Sequence, residues 1–306
     1  MTEDTKGAGR EGVAQIMMLL AMLIFGLNYV FGRWAAGDVQ PYVLGFTRWT
    51  AGTLLLLPFA IRHCIRDRER VFKHWKLLGL AGFLMPFMGA GLTYVALNYT
   101  EAINAGVIQG SMPVLTVLLS WVFLRQRTTS SQWLGVLIAI AGLLYMVARG
   151  NLSTLFDLSF NAGDIILIAC NLGLAAYGIV IKLLPGTFHP LTVMTIICAV
   201  GAFCHIPFFI YEISSGGAVV WGAKAWVCLG FVAIFPSICA IFLWNYAIAR
   251  IGPNRAGFYM YLTPVFAAIF AVPFLGESIG MFHILGAALI VGGVTLSSRS
   301  PKEFDK

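Results

Sequence analysis

The sequence predicts an all-α membrane protein with ten transmembrane helices, arranged as two inverted repeats of five helices. Three observations predict this fold class. The 306 residues are 59% hydrophobic and only 11% charged, whereas a soluble domain carries about 25% charged residues. The apolar residues come in blocks of the roughly 20 residues that a helix needs to cross a bilayer core. The second half of the chain also repeats the first, as detailed below.

Ten apolar blocks are predicted to span the membrane, with connections too short to hold a soluble domain. The first block is too long for the apolar region of a signal peptide and is predicted to be retained. The chain then divides into a cytoplasmic N-terminal tail (1–12), a first five-helix repeat (13–148), an outer connecting loop (149–161), a second five-helix repeat (162–298) and a cytoplasmic C-terminal tail (299–306). The predicted spans are 13–35, 41–61, 76–97, 102–124, 130–148, 162–184, 190–211, 224–248, 255–275 and 280–298.

The positions of the basic residues predict that both termini face the cytoplasm, as expected for a multi-pass protein of the cell (inner) membrane. Sixteen of the 20 Lys and Arg residues lie at cytoplasmic ends in this orientation, and only Arg33, Arg149 and Lys224 lie at outer ends. Such a bias follows the positive-inside rule. It also accounts for the net charge of +7 without a nucleic-acid partner.

The internal repeat is read by comparing residues 94–146 with residues 245–297, at a constant offset and without gaps. Matched glycines and prolines weigh most, because they fix backbone features that other residues cannot replace. A unit with an odd number of spans places its second copy upside down, as in many secondary transporters. The matched positions are Ala96 and Ala247, Ala105-Gly106 and Ala256-Gly257, Pro113-Val114 and Pro264-Val265, Phe123-Leu124 and Phe274-Leu275, Leu134-Gly135 and Leu285-Gly286, and Gly142 and Gly293.

Several short motifs, spread over nearly the whole chain, resemble those of the EamA-type transporters of the drug/metabolite transporter superfamily. They include Phe25-Gly26-Leu27-Asn28-Tyr29, Ser111-Met112-Pro113-Val114, Tyr261-Leu262-Thr263-Pro264-Val265 and Phe274-Leu275-Gly276-Glu277. The resemblance implies export of amino acids, other metabolites or drugs, and it is greatest to the aromatic amino acid exporters. One departure is Leu124-Arg125-Gln126-Arg127, where the family often has Gly-Glu. That acidic position is interpreted as part of a helix end, so its loss leaves the transport interpretation unchanged.

Polar and aromatic side chains at membrane depth are candidates for a substrate cavity, because such groups usually face protein or water rather than lipid. Amide, hydroxyl and aromatic groups would suit a zwitterion with an apolar side chain, although each residue could equally bond or pack against neighbouring helices. Prolines inside spans are candidate hinges or gates, since each frees backbone carbonyls. The predicted substrate-binding residues are Asn28, Tyr94, Gln109, Asn171, Tyr177, Trp244, Tyr259 and Tyr261, and the predicted hinges are Pro86, Pro113, Pro236 and Pro264.

Arg48 is the one clear charge within a predicted span. It is assigned either a structural role, reaching outward or binding carbonyl groups, or contact with a substrate carboxylate. No Asp or Glu lies deep in a span, and His205 and His283 are interpreted as structural. The sequence therefore predicts alternating access with weak or no proton coupling.

Other function classes are disfavoured by what the spans contain. Intramembrane aspartyl proteases need paired carboxylates and serine proteases need a Ser/His pair, but a receptor or an intramembrane enzyme stays the alternative of another class. Within transport, the alternative is a different metabolite or drug. The six cysteines show no metal-ligand spacing, so neither a metal nor a cofactor is predicted. The expected partners are a small-molecule substrate and membrane lipids, with the oligomeric state open and a monomer sufficient.

Overall fold

The structure, a computed structural model, describes residues 3–124, 129–151, 161–185, 187–216, 219–251, 259–260 and 262–297. Over these residues the regular secondary structure is entirely helical, which confirms the predicted all-α class. In chain order the helices are α1 (Glu3–Ala35), α2 (Pro41–Arg66), α3 (Arg68–Lys73), α4 (Trp75–Gly82), α5 (Leu92–Ala96), α6 (Ala102–Gln109), α7 (Met112–Leu124), α8 (Ser130–Val147), α9 (Ala162–Leu183), α10 (Pro190–Ser214), α11 (Ala223–Ile234), α12 (Ala240–Ile251), α13 (Leu262–Leu275) and α14 (Met281–Ser297).

Eight segments of the described chain are long and apolar enough to cross a membrane, rather than the ten predicted. Two shorter apolar helices follow them, in the regions predicted as spans nine and ten. Residues 255–258, 261 and 298 of those two predicted spans lie outside the described residues. Helix α1 begins at Glu3, so most of the predicted N-terminal tail continues the first helix.

Two of the full-length segments contain a π-helical stretch where a proline was predicted to interrupt the helix. Phe83–Gly91 joins α4 to α5 and contains Pro86, and Phe235–Cys239 joins α11 to α12 and contains Pro236. A proline removes one backbone hydrogen bond and crowds the preceding turn. The wider π turn is one way in which a helix accommodates such a disruption while remaining continuous.

Helices α2 and α10 lie antiparallel and complete each other's first turn. The Glu212 carboxylate, near the end of α10, accepts hydrogen bonds from the backbone N–H groups of Tyr42 (3.0 Å) and Val43 (3.2 Å) at the start of α2. At the opposite end of the pair, Asp67 follows α2 and accepts the N–H of His189 (3.1 Å) at the start of α10. The free N–H groups of a helix N-terminus favour a carboxylate. The end of each helix therefore supplies a carboxylate acceptor for the start of the other.

Helices α8 and α14 also run antiparallel and pack closely through glycine. A Cβ on Gly142 would lie 2.7 Å from the Cβ of Leu289, and one on Gly293 would lie 2.5 Å from the carbonyl oxygen of Gly135. Small residues let membrane helices approach closely and gain dispersion contacts. Gly142 and Gly293 are the pair that the sequence repeat matched.

The first helix of each predicted repeat packs on the other half of the chain. Helix α1 contacts α12 and α13, while α9 contacts α7 and the π-helical stretch before α5. Spans one and six therefore contact equivalent spans of the opposite half. The residues where these helices cross come from both halves, and the candidate site lies among them.

Candidate functional site

Three of the predicted residues form one buried hydrogen-bonded cluster, which we call the Arg48 cluster: Asn28, Arg48 and Tyr94. The Arg48 guanidinium donates from Nη1 to the Tyr94 hydroxyl at 3.1 Å. That hydroxyl in turn donates to Oδ1 of Asn28 at 2.8 Å. Asn28 is only 7% exposed, Arg48 5% and Tyr94 0%, and the three residues come from three different spans. The cluster therefore joins groups that are far apart in the chain.

The Arg48 charge lies deep in its helix and has no acidic partner in the described part of the chain. Arg48 is seven residues after the start of α2, which places it about 10 Å along the helix. Its Nε has no hydrogen-bond partner, and its guanidinium lies 4.8 Å from the ring centre of Trp49. The side chain thus neither reaches the outer surface nor contacts a group of carbonyls, which were the two structural roles predicted for it.

Gln109, on the fourth span, is hydrogen-bonded to the first span next to the Arg48 cluster. The Tyr29 hydroxyl donates to Oε1 of Gln109 at 2.9 Å, and Tyr29 directly follows Asn28 in the chain. Tyr29 was missed in the sequence because an aromatic residue in an apolar block is ordinarily a packing residue. Its position next to Asn28 was the available signal.

Asn171 bonds to a break in the fourth span rather than to the Arg48 cluster. Between α6 and α7 the helix is interrupted at Gly110 and Ser111, and Asn171 Nδ2 donates to the Ile108 carbonyl at 2.6 Å. Pro113, predicted as a hinge, is the second residue of α7, directly after this break. Asn171 therefore bonds to the fourth span, whereas Asn28 bonds to the third.

The remaining predicted residues lie elsewhere. Tyr177 packs with Ala81 and Ile197 in a separate apolar cluster. Trp244 and Tyr259 pack around Met18 and Met22 of α1. Tyr261 lies outside the described residues. Pro264, the repeat partner of Pro113, is the third residue of α13.

An open cavity of about 630 Å³ lies at the end of the molecule that the charge pattern assigns to the outer face. It is bordered by Arg33 and Asn98 from the first and third spans, by Glu101, and by Gly276 and Glu277 after α13. The cavity wall and the Arg48 cluster are linked, because Asn98 Nδ2 donates to the Tyr94 carbonyl at 2.9 Å. Asn98 is four residues after Tyr94, so their backbone positions are about 6 Å apart along the helix axis.

The Gly276-Glu277 motif completes the start of the fourth span. Gly276 has a φ of +69°, which ends α13 in the left-handed region that favours glycine. Glu277 then accepts the N–H groups of Ala102 (2.8 Å) and Ile103 (3.0 Å) at the start of α6. Burial raises the pKa of Glu277 above its ordinary value, while these two hydrogen bonds act in the opposite direction. The motif is thus part of a helix end, as the sequence was interpreted; Gln126, the equivalent residue, lies outside the described residues.

A second buried polar network was not recognised in the sequence. His283 accepts the N–H of Gly280 at Nδ1, so its Nε2–H points to Oδ1 of Asn104 at 2.9 Å. Asn104 donates to the Thr100 hydroxyl, which donates to Asp164. Asp164, the third residue of α9, is only 1% exposed. The only indication in the sequence was that two polar residues, Asn104 and His283, lie near the starts of two predicted spans.

Comparison with known proteins identifies the fold and the function class. A family described as the EamA-like transporter family matches residues 12–148 and 161–299. The uncharacterized transporter YyaM of Bacillus subtilis is 28% identical over 295 residues, which cover 94% of this chain and 95% of that protein. The uncharacterized inner membrane transporter YedA of Escherichia coli is 25% identical over 286 residues, which cover 90% of this chain and 87% of that protein.

A solved crystal structure shares the fold at 17% identity. The TM-score is 0.59, with 94% of this chain and 98% of the other chain covered. At this identity the likeness concerns the fold alone. The relatives named above are uncharacterized transporters, so their similarity gives no support to aromatic amino acids over other substrates.

Proposed function

Since this chain belongs to the EamA-like transporter family, we propose that it exports small neutral or zwitterionic metabolites, and first of all amino acids with aromatic or other apolar side chains. It is a membrane transporter and not an enzyme, as the sequence predicted. The observation that carries the substrate proposal is the composition of the Arg48 cluster and its surroundings. One cationic group lies among amide, hydroxyl and aromatic groups, where the helices of both halves cross.

The proposed architecture is ten transmembrane helices in two inverted repeats. The two short apolar helices α13 and α14 supply spans nine and ten. Three features support the inversion: α2 and α10 are antiparallel with reciprocal caps, α8 and α14 are antiparallel through matched glycines, and spans one and six pack on equivalent partners. An inverted repeat of this kind gives two exchangeable conformations, one open to each side.

The interruptions in the helices are the proposed moving parts. Pro86 and Pro236 lie in π-helical stretches, and Pro113 and Pro264 lie in the first turn of α7 and α13. Bending at these places would open one end of the central site while closing the other. In liposomes, Pro86→Ala is expected to lower flux several-fold, whereas Pro58→Ala, within the uninterrupted helix α2, is expected to retain it; equal flux in both variants would remove the hinge assignment.

The proposed location is the inner membrane with both termini in the cytoplasm. The basic residues support this orientation, and the relative YedA is named an inner membrane transporter. A reporter fused to either terminus is therefore expected to be active only on the cytoplasmic side. A periplasmic signal from one terminus would overturn the even number of spans.

Proton coupling is proposed to be weak or absent. The buried carboxylate of Asp164 and the partly buried carboxylate of Glu212 lie near helix ends, where they accept hydrogen bonds from Thr100 and from the start of α2. These carboxylates are engaged in the architecture, and neither contacts the Arg48 cluster. Substrate would then move down its own gradient.

Flux measurements in liposomes test the whole proposal. Purified protein is reconstituted with a panel of labelled amino acids and other neutral metabolites, with and without an imposed pH gradient. Flux of aromatic or other apolar amino acids, changed less than about twofold by the pH gradient, is the expected result. If the protein carries only other metabolites or drugs, the proposed substrate class is wrong. If flux responds tenfold to the pH gradient, the proposed lack of proton coupling is wrong.

A further inference from the structure

The feature with the least explanation in the fold is the buried guanidinium of Arg48. A cation placed inside a membrane protein is costly unless it is paired or fully hydrogen-bonded. Arg48 is 5% exposed and makes one hydrogen bond, to Tyr94, while its Nε has no partner in the described chain. Structural arginines in such places ordinarily bond several carbonyl groups or a carboxylate. Most of the hydrogen-bond donors of Arg48 are therefore unused in the described chain.

The groups that face Arg48 from each neighbouring helix are neutral. The first span contributes Asn28 and the third contributes Tyr94. Span seven lies against the same helix, with His205 beside Gly45 and Cys198 beside Gly52. From span eight, the Ser237 hydroxyl donates to the Val232 carbonyl at 2.7 Å and reaches Arg48 only at its backbone carbonyl, at 3.5 Å. No described side chain supplies the missing negative charge.

We propose that the missing partner is the carboxylate of the transported molecule, bound by the Arg48 guanidinium. A guanidinium presents several N–H donors in one plane, and a carboxylate matches two of them at once. Tyr94 occupies one donor and fixes the plane of the group, which leaves Nε free for the incoming carboxylate. The inference rests on the proposed transport function and narrows it to substrates that carry one carboxylate.

The surroundings also indicate what else the substrate carries. One arginine without a neighbouring lysine or second arginine suits a single carboxylate better than a phosphate or a dicarboxylate. Oδ1 of Asn28 accepts from Tyr94 and Oε1 of Gln109 accepts from Tyr29, and the second lone pair of each amide oxygen suits an ammonium group. The ring of Trp49 lies against the guanidinium and offers an apolar wall.

The route to Arg48 leads from the outer cavity and is closed in this conformation. Tyr94 is fully buried, and the layer above it contains Leu97, whose carbonyl accepts a hydrogen bond from Arg33 at 2.7 Å. The π-helical stretch Phe83–Gly91 ends three residues before Tyr94. A change of bend in that stretch would displace Tyr94 and expose the guanidinium to the cavity.

The test compares amino acids with their carboxamides, in which a neutral amide replaces the carboxylate, in reconstituted liposomes. Each amino acid of the flux panel is paired with its carboxamide, and the ratio of the two initial rates is measured for the wild type. We expect a ratio of about tenfold or more in favour of the acid, since only the carboxylate can form the charge-assisted pair with the guanidinium. The Arg48→Gln variant is expected to bring the ratio close to one. Arg66→Gln, at the exposed end of the same helix, is the matched control and should keep the wild-type ratio.

The outcomes separate this inference from the transport proposal. If the wild type carries amides as fast as acids, or if Arg48→Gln keeps the preference, the carboxylate site is wrong while transport stands. If the wild type carries no solute of the panel, the transport proposal fails and the inference fails with it. Should Arg48→Gln not fold, the wild-type ratio and the Arg48→Lys variant, which retains charge but loses the planar fork, decide the question. Lys is expected to give an intermediate ratio, and a ratio equal to the wild type would overturn the two-point geometry.

Discussion

At the scale of single residues, Tyr94 organises the candidate site. Its hydroxyl accepts from Arg48 and donates to Asn28, so both hydrogen-bonding functions of the group are used. A hydroxyl can do this only because it is at once donor and acceptor. Phenylalanine would fill the same space and leave both partners unsatisfied.

We therefore expect Tyr94→Phe to lower the free energy of unfolding in detergent by about 1–3 kcal/mol, the usual cost of leaving buried polar groups unpaired. Thermal unfolding of the purified protein measures this. Tyr99→Phe is the control, since Tyr99 is 60% exposed and its change should stay within about 0.5 kcal/mol. Equal unfolding temperatures for the two variants would show that the cluster adds no stability.

Sequence reasoning found the members of this cluster but not their arrangement. Asn28, Arg48 and Tyr94 each stood out as polar groups at membrane depth. They lie on three spans, and no periodicity along one helix shows which faces of different helices meet. The same limit hid the network from His283 to Asp164, whose links cross three spans. Trp244 and Tyr259 lie in a separate apolar cluster, and their residue type does not reveal this because aromatic residues are equally common in apolar packing.

At the scale of helices, the carboxylates placed between elements are the most informative feature. Asp67 has no exposed surface, and its Oδ2 accepts both the His189 N–H and the Thr192 hydroxyl. The pKa of Asp67 is lowered chiefly by the His189 hydrogen bond, with further contributions from Thr192, Arg66 and Arg70 that outweigh the opposing effect of burial. A carboxyl group with a lowered pKa stabilises the fold while it is ionised.

The stabilisation from Asp67 is therefore complete above the ordinary titration range of an aspartate, at about pH 4, and is lost as the pH falls through the lower pKa of the folded state. We expect Asp67→Ala to cost about 1 kcal/mol of unfolding free energy at pH 7, as for the loss of a helix cap, and to be less sensitive to acid than the wild type. Unfolding midpoints between pH 7 and pH 3 measure both effects. Glu69→Ala, two residues away and exposed, is the control; an identical profile for the two variants would contradict the cap.

The element boundaries followed closely from the sequence, whereas the form of the interruptions did not. Pro41 and Pro190 begin α2 and α10 as predicted, because proline fits the first turn of a helix. Pro86 and Pro236 indicated disrupted helices, but a proline alone does not determine whether the helix breaks, bends or widens. The π-helical form depends on neighbouring packing, as the close approach of Gly201 to Pro86 illustrates.

At the scale of the whole molecule, the contact between α8 and α14 ties the two halves together. A methyl group on Gly293 would meet the backbone of Ala139 and Gly135 at 2.5 Å, whereas one on Gly292 would meet nothing within 4 Å. These neighbouring glycines therefore form a matched pair for one substitution. Gly293 faces the first half of the chain, and Gly292 faces away from it.

Gly293→Ala is expected to force the helices apart and to cost about 1–3 kcal/mol, as for overpacking of a tight contact. Gly292→Ala should leave stability unchanged or slightly raised, because alanine favours the helix. Thermal unfolding of both variants in the same detergent compares them. Were Gly292→Ala the more damaging change, the antiparallel packing of α8 on α14 would be wrong.

The repeat in the sequence predicted this pair of glycines without predicting that they belong to one contact. The constant offset aligned Gly142 with Gly293, but an alignment states equivalence and not proximity. The all-helical class and the approximate span positions followed from apolar length alone.

The exchange of caps between α2 and α10 affects how the chain matures. A ribosome delivers α2 well before Glu212 is synthesised, so the amides of Tyr42 and Val43 enter the bilayer without their final acceptor. The start of α2 therefore stays uncapped until the C-terminal half has been translated. Separate gene fragments divided between α8 and α9 should rescue one another on co-expression, and either fragment alone should be a substrate for quality-control proteases.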